Sequence, residues 1–169
     1  METTKFKELC MAFGRAQNQF QNYKNDCHNF AVEMVNELKI YFQIPESQFS
    51  LYHIDGQNEF SLVQPELINA ISLRPDSMWQ FGIGLTVCSA PETLPKELIL
   101  IPILIRRDLD ANYFLRYGEQ EQEFKIEKPE KYNFIPFFDY LHQTIVRSYD
   151  EELAHFIGQD TRRTIGYNK

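Results

Sequence analysis

The sequence predicts an α+β fold: a long N-terminal helix, an antiparallel meander sheet of about five to seven strands, and a C-terminal helix. Three observations predict it. Apolar residues recur at alternating steps of three and four from Phe6 to Met34, short alternating segments separated by Gly, Pro, Asp and Asn fill the middle, and a second three-four stripe follows from Phe134 to Phe156. The expected organisation is one domain over 1–169, with a helix at 3–43, a sheet at 49–127, a helix at 134–157 and a loose tail at 159–169.

The first stripe runs through Phe6, Leu9, Phe13, Ala16, Phe20, Tyr23, Cys27, Phe30 and Met34, which is the a/d spacing of a coiled-coil seam. Ala31, Val35, Leu38 and Phe42 widen it in the second half, as expected where a helix leaves a narrow seam and meets a broader core. Thr3 or Thr4 can cap its start, and Pro45 sets its end. A helix of that length spans roughly 60 Å at about 1.5 Å per residue, more than a domain of this size covers. Either it breaks near Gly14 or a second subunit packs along its N-terminal half, and the anchors of that interface are expected to be Phe6, Leu9, Phe13, Phe20 and Tyr23.

The strands follow. Phe49 to Ile54 and Glu59 to Val63 flank Asp55-Gly56-Gln57-Asn58, residues that tolerate positive φ and suit a hairpin. After a turn at Pro65 to Asn69 come Ala70 to Arg74, a reversal at Pro75-Asp76-Ser77, and the clearest strand, Met78 to Cys88. Trp79, Phe81, Ile83, Leu85 and Val87 share one face of it, and Gly82 and Gly84 fall on the other, a small face suited to close approach. Leu98 to Ile105 is apolar on both faces, which marks a central strand, and Pro102 requires a bulge or a partly open edge within it. Asn112 to Tyr117 and Gln122 to Glu127 complete the sheet. The last helix is expected to start from a cap at Asn133, with Pro136 in its first turn and a stop at Gly158.

Composition narrows the function classes. At 169 residues with 43% apolar and 24% charged side chains, the chain can bury a core without disulfides or metal. A net charge of −7 disfavours a broad nucleic-acid footprint. The pair Arg106-Arg107 beside Asp108 and Asp110 reads as a self-neutralising solvated turn. Cys10, Cys27 and Cys88 have neither disulfide nor zinc spacing, no cofactor motif is present, and the N-terminus is no signal peptide. With no apolar run long enough for a membrane helix, a cytoplasmic location and no membrane partner are expected.

Candidate chemistry is sparse. His28, His53, His142 and His155 have no ligand spacing, and no nucleophile elbow or phosphate loop occurs. Asp110 followed by Glu123-Phe124-Lys125 has the order in which restriction-type nucleases hold Mg²⁺ with two carboxylates and place a Lys near the attacking water. A second alternative is a small-ligand pocket lined by Tyr52, Trp79, Tyr113 and Tyr117. The leading expectation is a non-catalytic protein-interaction protein, a homodimer or a complex subunit, docking through the N-terminal helix.

Overall fold

A computed structural model describes residues 2, 4–63, 66–89 and 96–158. Thr3, Pro65 and the tail 159–169, with its Arg162-Arg163 pair, lie outside the described residues. Helix α1 covers Lys5–Phe42 and continues through Gly14 without a break. The hydroxyl of Thr4 accepts from the backbone N–H of Lys7, satisfying one of the free amides at the helix start. At the other end Gln43 turns into the left-handed region (φ 53°), its N–H reaches the carbonyl of Ile40, and the N–H of Ile44 reaches that of Lys39. That is a Schellman stop built on a glutamine instead of the usual glycine.

Among the described residues seven strands form one antiparallel sheet: β1 (Phe49–Ile54), β2 (Phe60–Leu62), β3 (Ser72–Leu73), β4 (Trp79–Cys88), β5 (Lys96–Arg107), β6 (Tyr113–Tyr117) and β7 (Glu123–Ile126). Their order is β2-β1-β4-β5-β6-β7, with β3 on the end of β4. The connections are sequential from β4 onward, whereas β1 sits between β2 and β4, pairing Ser50 with Gly84 and Leu51 with Ile83. Short turns join β1 to β2, β5 to β6 and β6 to β7. In two of them an aspartate carboxylate accepts the backbone N–H groups two and four residues on: Asp55 from Gln57 and Glu59, and Asp108 from Asp110 and Asn112. The left-handed position in these turns is taken by Asn58 and Ala111, not by Gly56.

One face of the sheet carries the core. Trp79, Phe81, Ile83 and Leu85 of β4, Ile101, Ile103 and Ile105 of β5, and Leu115 and Ile126 beyond them pack with Cys27, Phe30, Ala31, Met34, Val35 and Leu38 of α1. Helix α2 (Ile135–Gly158) closes the same side through Phe137, Phe138 and Leu141, and the ring of Phe137 meets Phe124 at 5.4 Å. A four-residue 3-10 turn, Lys131–Phe134, precedes it. Asn133 therefore does not cap α2; its side chain donates to the carbonyl of Lys128 and braces the turn.

On the opposite face the two strand glycines have a definite purpose. A Cβ at Gly82 would lie 2.6 Å from the ring of Phe60, and one at Gly84 would lie 2.5 Å from both Ser50 Oγ and the ring of Tyr52. The small face is thus filled by aromatic side chains of the neighbouring strands rather than by a helix. Gln80 is buried there, and its amide donates to the carbonyl of Ile54 at 3.1 Å.

Candidate functional site

The apolar stripe of α1 keeps its spacing along the whole helix, but its surroundings change near Tyr23. From Cys27 to Leu38 the stripe is buried against the sheet. Before Tyr23 it has no cover among the described residues: Phe6 is 73% exposed, Leu9 68%, Phe13 64% and Phe20 48%. The uncovered half carries few supports of its own, a 4.0 Å contact between Lys5 and Glu8 and a Gln21–Asn25 side-chain hydrogen bond. An isolated helix of that length is marginal in water, so its attachment to the packed half holds it.

Where the helix leaves the sheet, a polar cluster marks the boundary. Arg107, at the end of β5, pairs with Asp26 at 2.5 Å and stands 5.3 Å from the ring centre of Tyr23. Tyr23 in turn lies 6.3 Å from Trp79. The Cys27 thiol is fully buried beneath them, and burial pushes its pKa up to about 11, so it is a neutral packing group and not a nucleophile. His28 stands edge-on to Trp79 at 5.1 Å, and burial lowers its pKa. Tyr23 is the last of the five expected interface residues and the only one of them packed against the core; Phe6, Leu9, Phe13 and Phe20 share its stripe in the uncovered half.

The two arginines expected to form a self-neutralising turn are engaged elsewhere. Arg106 binds Glu123 of β7, Arg107 binds Asp26 of α1, and Asp108 accepts from the backbone amides of Asp110 and Asn112 and from the side-chain amide of Asn112. Sequence proximity suggested Asp108 and Asp110 as partners, but strand pairing and helix packing bring closer ones.

The residues of the nuclease reading lie in the turn after β5 and on β7. Asp110 lies in the exposed turn after β5, Glu123 gives both carboxylate oxygens to Arg106, and Lys125 stands 3.8 Å from Glu127. Among the described residues no three His, Cys, Asp or Glu side chains converge as metal ligands.

Nor does the aromatic set share one cavity. Trp79 packs between Tyr23 and His28, Tyr113 stacks on Phe30 at 4.2 Å, and Tyr117 borders α2 near Ile145. Tyr52 is on the other face of the sheet, over Gly84.

No protein-family model, curated protein or solved structure matches the chain. Among the described residues no helix is long and apolar enough to cross a membrane. The uncovered half of α1 is the candidate functional surface.

The positions flanking that seam would have been hard to weigh before the burial pattern was known. Cys10, Ala12, Gln17 and Gln19, which border the stripe on either side, are uncharged. Lys7, Glu8 and Arg15 fall away from it.

Proposed function

We propose that this protein is a non-catalytic interaction module that self-associates through the N-terminal half of α1. The observation that carries the reading is the exposure of Phe6, Leu9, Phe13 and Phe20 on the same stripe that forms the core from Cys27 onward. Covering one such side chain is worth about 1.5–3 kcal/mol, so four of them on each of two chains supply a strong drive to pair. The uncharged flanks at Cys10, Ala12, Gln17 and Gln19 support a second copy as the occupant, because two identical seams then meet from Leu9 to Phe20 without like charges beside them, Lys5 beside Phe6 being the charged flank at the helix start.

Sedimentation or light scattering over a wide concentration range tests this. The expected result is a concentration-dependent dimer that becomes monomeric in the double variant Phe13→Asp and Phe20→Asp. Neither side chain is in the buried core, so the variant keeps its sheet signals. A wild-type chain that stays monomeric at every concentration overturns the proposal.

A further inference from the structure

The second surface lies on β5, remote in sequence from the α1 seam. Strand β5 pairs with β4 along its whole length, from Lys96 opposite Cys88 to Ile105 opposite Trp79. On its other edge β6 begins only at Ile103, which faces Tyr117. The last bond of that ladder is the N–H of Gly118 to the carbonyl of Pro102 at 2.9 Å, so Pro102 turns its carbonyl to the β6 side. In an extended strand alternate residues present their backbone groups to the same edge. The N–H and C=O of Leu98 and Leu100 therefore point the same way, past the end of β6, and no described strand pairs with them. The sequence-based requirement for a partly open edge at Pro102 is met here.

This edge is not a flat rim. The second half of α2 runs beside it and makes a groove of about 370 Å³ along Glu97, Leu98, Ile99 and Leu100. Tyr117 and Ile145 close the apolar end. At the other end Glu97, Tyr149 and Glu152 meet: Tyr149 hydrogen-bonds Glu97, and the Glu152 carboxylate is close enough for its charge to act on Glu97. A free backbone edge about 10 Å long over Leu98 to Leu100, an apolar wall and a pair of acids at one end define a specific complement. We infer that this groove binds an extended peptide segment of a partner protein, added as a strand collinear with β6, apolar at alternate positions and carrying a Lys or Arg at the Glu97–Glu152 end.

Each part of the complement follows from a need of the groove. The backbone groups of Leu98 and Leu100 supply the pairing that an added strand satisfies. The wall formed by Ile99, Tyr117 and Ile145 takes every second side chain. Burial raises the proton affinity of Glu97 and the neighbouring charge of Glu152 raises it further, so a cation between the two carboxylates relieves both effects. Pro102 ends the row of free donors and fixes where the added strand stops.

The probe is a displayed library of random decapeptides selected on the full-length chain, followed by titration of the enriched peptide, as a free synthetic molecule, into ¹⁵N-labelled protein. Enriched sequences are expected to alternate apolar residues and to carry Lys or Arg. On binding, amide exchange of Leu98 and Leu100 is expected to slow at least tenfold. N-methylating the peptide on the pairing edge should weaken binding at least tenfold, and on the opposite edge should not; Glu97→Lys should weaken it similarly. The Phe13→Asp and Phe20→Asp variant should bind the peptide unchanged, which separates this surface from the α1 seam. Selection that yields no peptide protecting Leu98 and Leu100 overturns the inference. So does protection already present in the free chain, if it is lost on removing residues 159–169 or grows with protein concentration, because the chain's own tail or a second copy is then the occupant.

Discussion

Glu123 accepts two hydrogen bonds of 2.8 Å from Arg106, whose guanidinium lies 3.9 Å over the ring of Phe114. The pair joins β5 to β7 across β6, a fork-to-fork geometry that favours arginine over lysine. Both side chains are partly exposed, at 38% and 29%, so solvent screens the interaction. Glu123→Gln is expected to lower stability by about 0.5–1 kcal/mol at neutral pH. The hydrogen bonds from Arg106 hold the Glu123 carboxyl below its ordinary pKa, so its contribution is present at neutral pH and is lost as pH falls below the usual carboxylate range. Urea unfolding at pH 7 and pH 3 should show the wild type and the variant converging at the lower value.

Cysteine reactivity should report the same division of α1 that burial shows. Cys10 is exposed on the uncovered half, whereas Cys27 is buried with its thiol pKa raised to about 11. Labelling with a chromogenic disulfide at pH 8 is expected to modify Cys10 in seconds to minutes and Cys27 only on the timescale of unfolding. Cys10→Ser removes the fastest phase and leaves the partly exposed Cys88 as the remaining thiol that labels without unfolding. Fast labelling of Cys27 in the native protein contradicts its place in the core.

His28 gives the chain a stability term near neutrality. Burial, then the charge of Lys24, lowers its pKa, so the folded state holds the neutral ring while the unfolded chain takes up a proton near pH 6.5. Its contribution is complete above the unfolded pKa and declines as pH falls through 6.5 toward the folded value. Denaturation between pH 8 and pH 5.5 should show wild-type stability falling with a slope that is reduced in His28→Gln.

Gln43 and Ala111 occupy left-handed backbone at φ 53° and φ 62°. Glycine adopts this conformation without a Cβ penalty, and both side chains are exposed. Gln43→Gly and Ala111→Gly are each expected to raise stability by up to about 1 kcal/mol, additively, because the sites lie at the end of α1 and in the β5–β6 turn. Thermal unfolding of the two single variants and the double variant checks both claims.

How much of this was legible depends on the range of the interaction. The helix from Phe6 to Phe42 and the alternation of Trp79, Phe81, Ile83 and Leu85 could be read because each is written in local periodicity. The partners of Arg106 and Arg107 could not, since Glu123 and Asp26 reach them only through strand pairing and helix packing. The role of Gly82 and Gly84 likewise depended on the register that sets Tyr52 opposite Gly82. The seam of α1 is the instructive case. Phe13 and Phe30 obey one spacing, yet one is 64% exposed and the other 2%, because periodicity records which side of a helix is apolar and not what lies against it. The β5 edge was foreshadowed by Pro102 alone, and its groove required the path of α2.

The position of β1 between β2 and β4 bears on how the chain reaches this state. β4–β5, β5–β6, β6–β7 and β1–β2 are hairpins that close between neighbours in sequence. The β1–β4 seam instead joins Ser50 to Gly84, 34 residues apart, and must wait for a larger loss of chain entropy. Mutations at Leu51 should therefore slow refolding less than they speed unfolding if that seam zips after the β4–β5 hairpin, making the two ends of the sheet kinetically distinct halves of one cooperative structure.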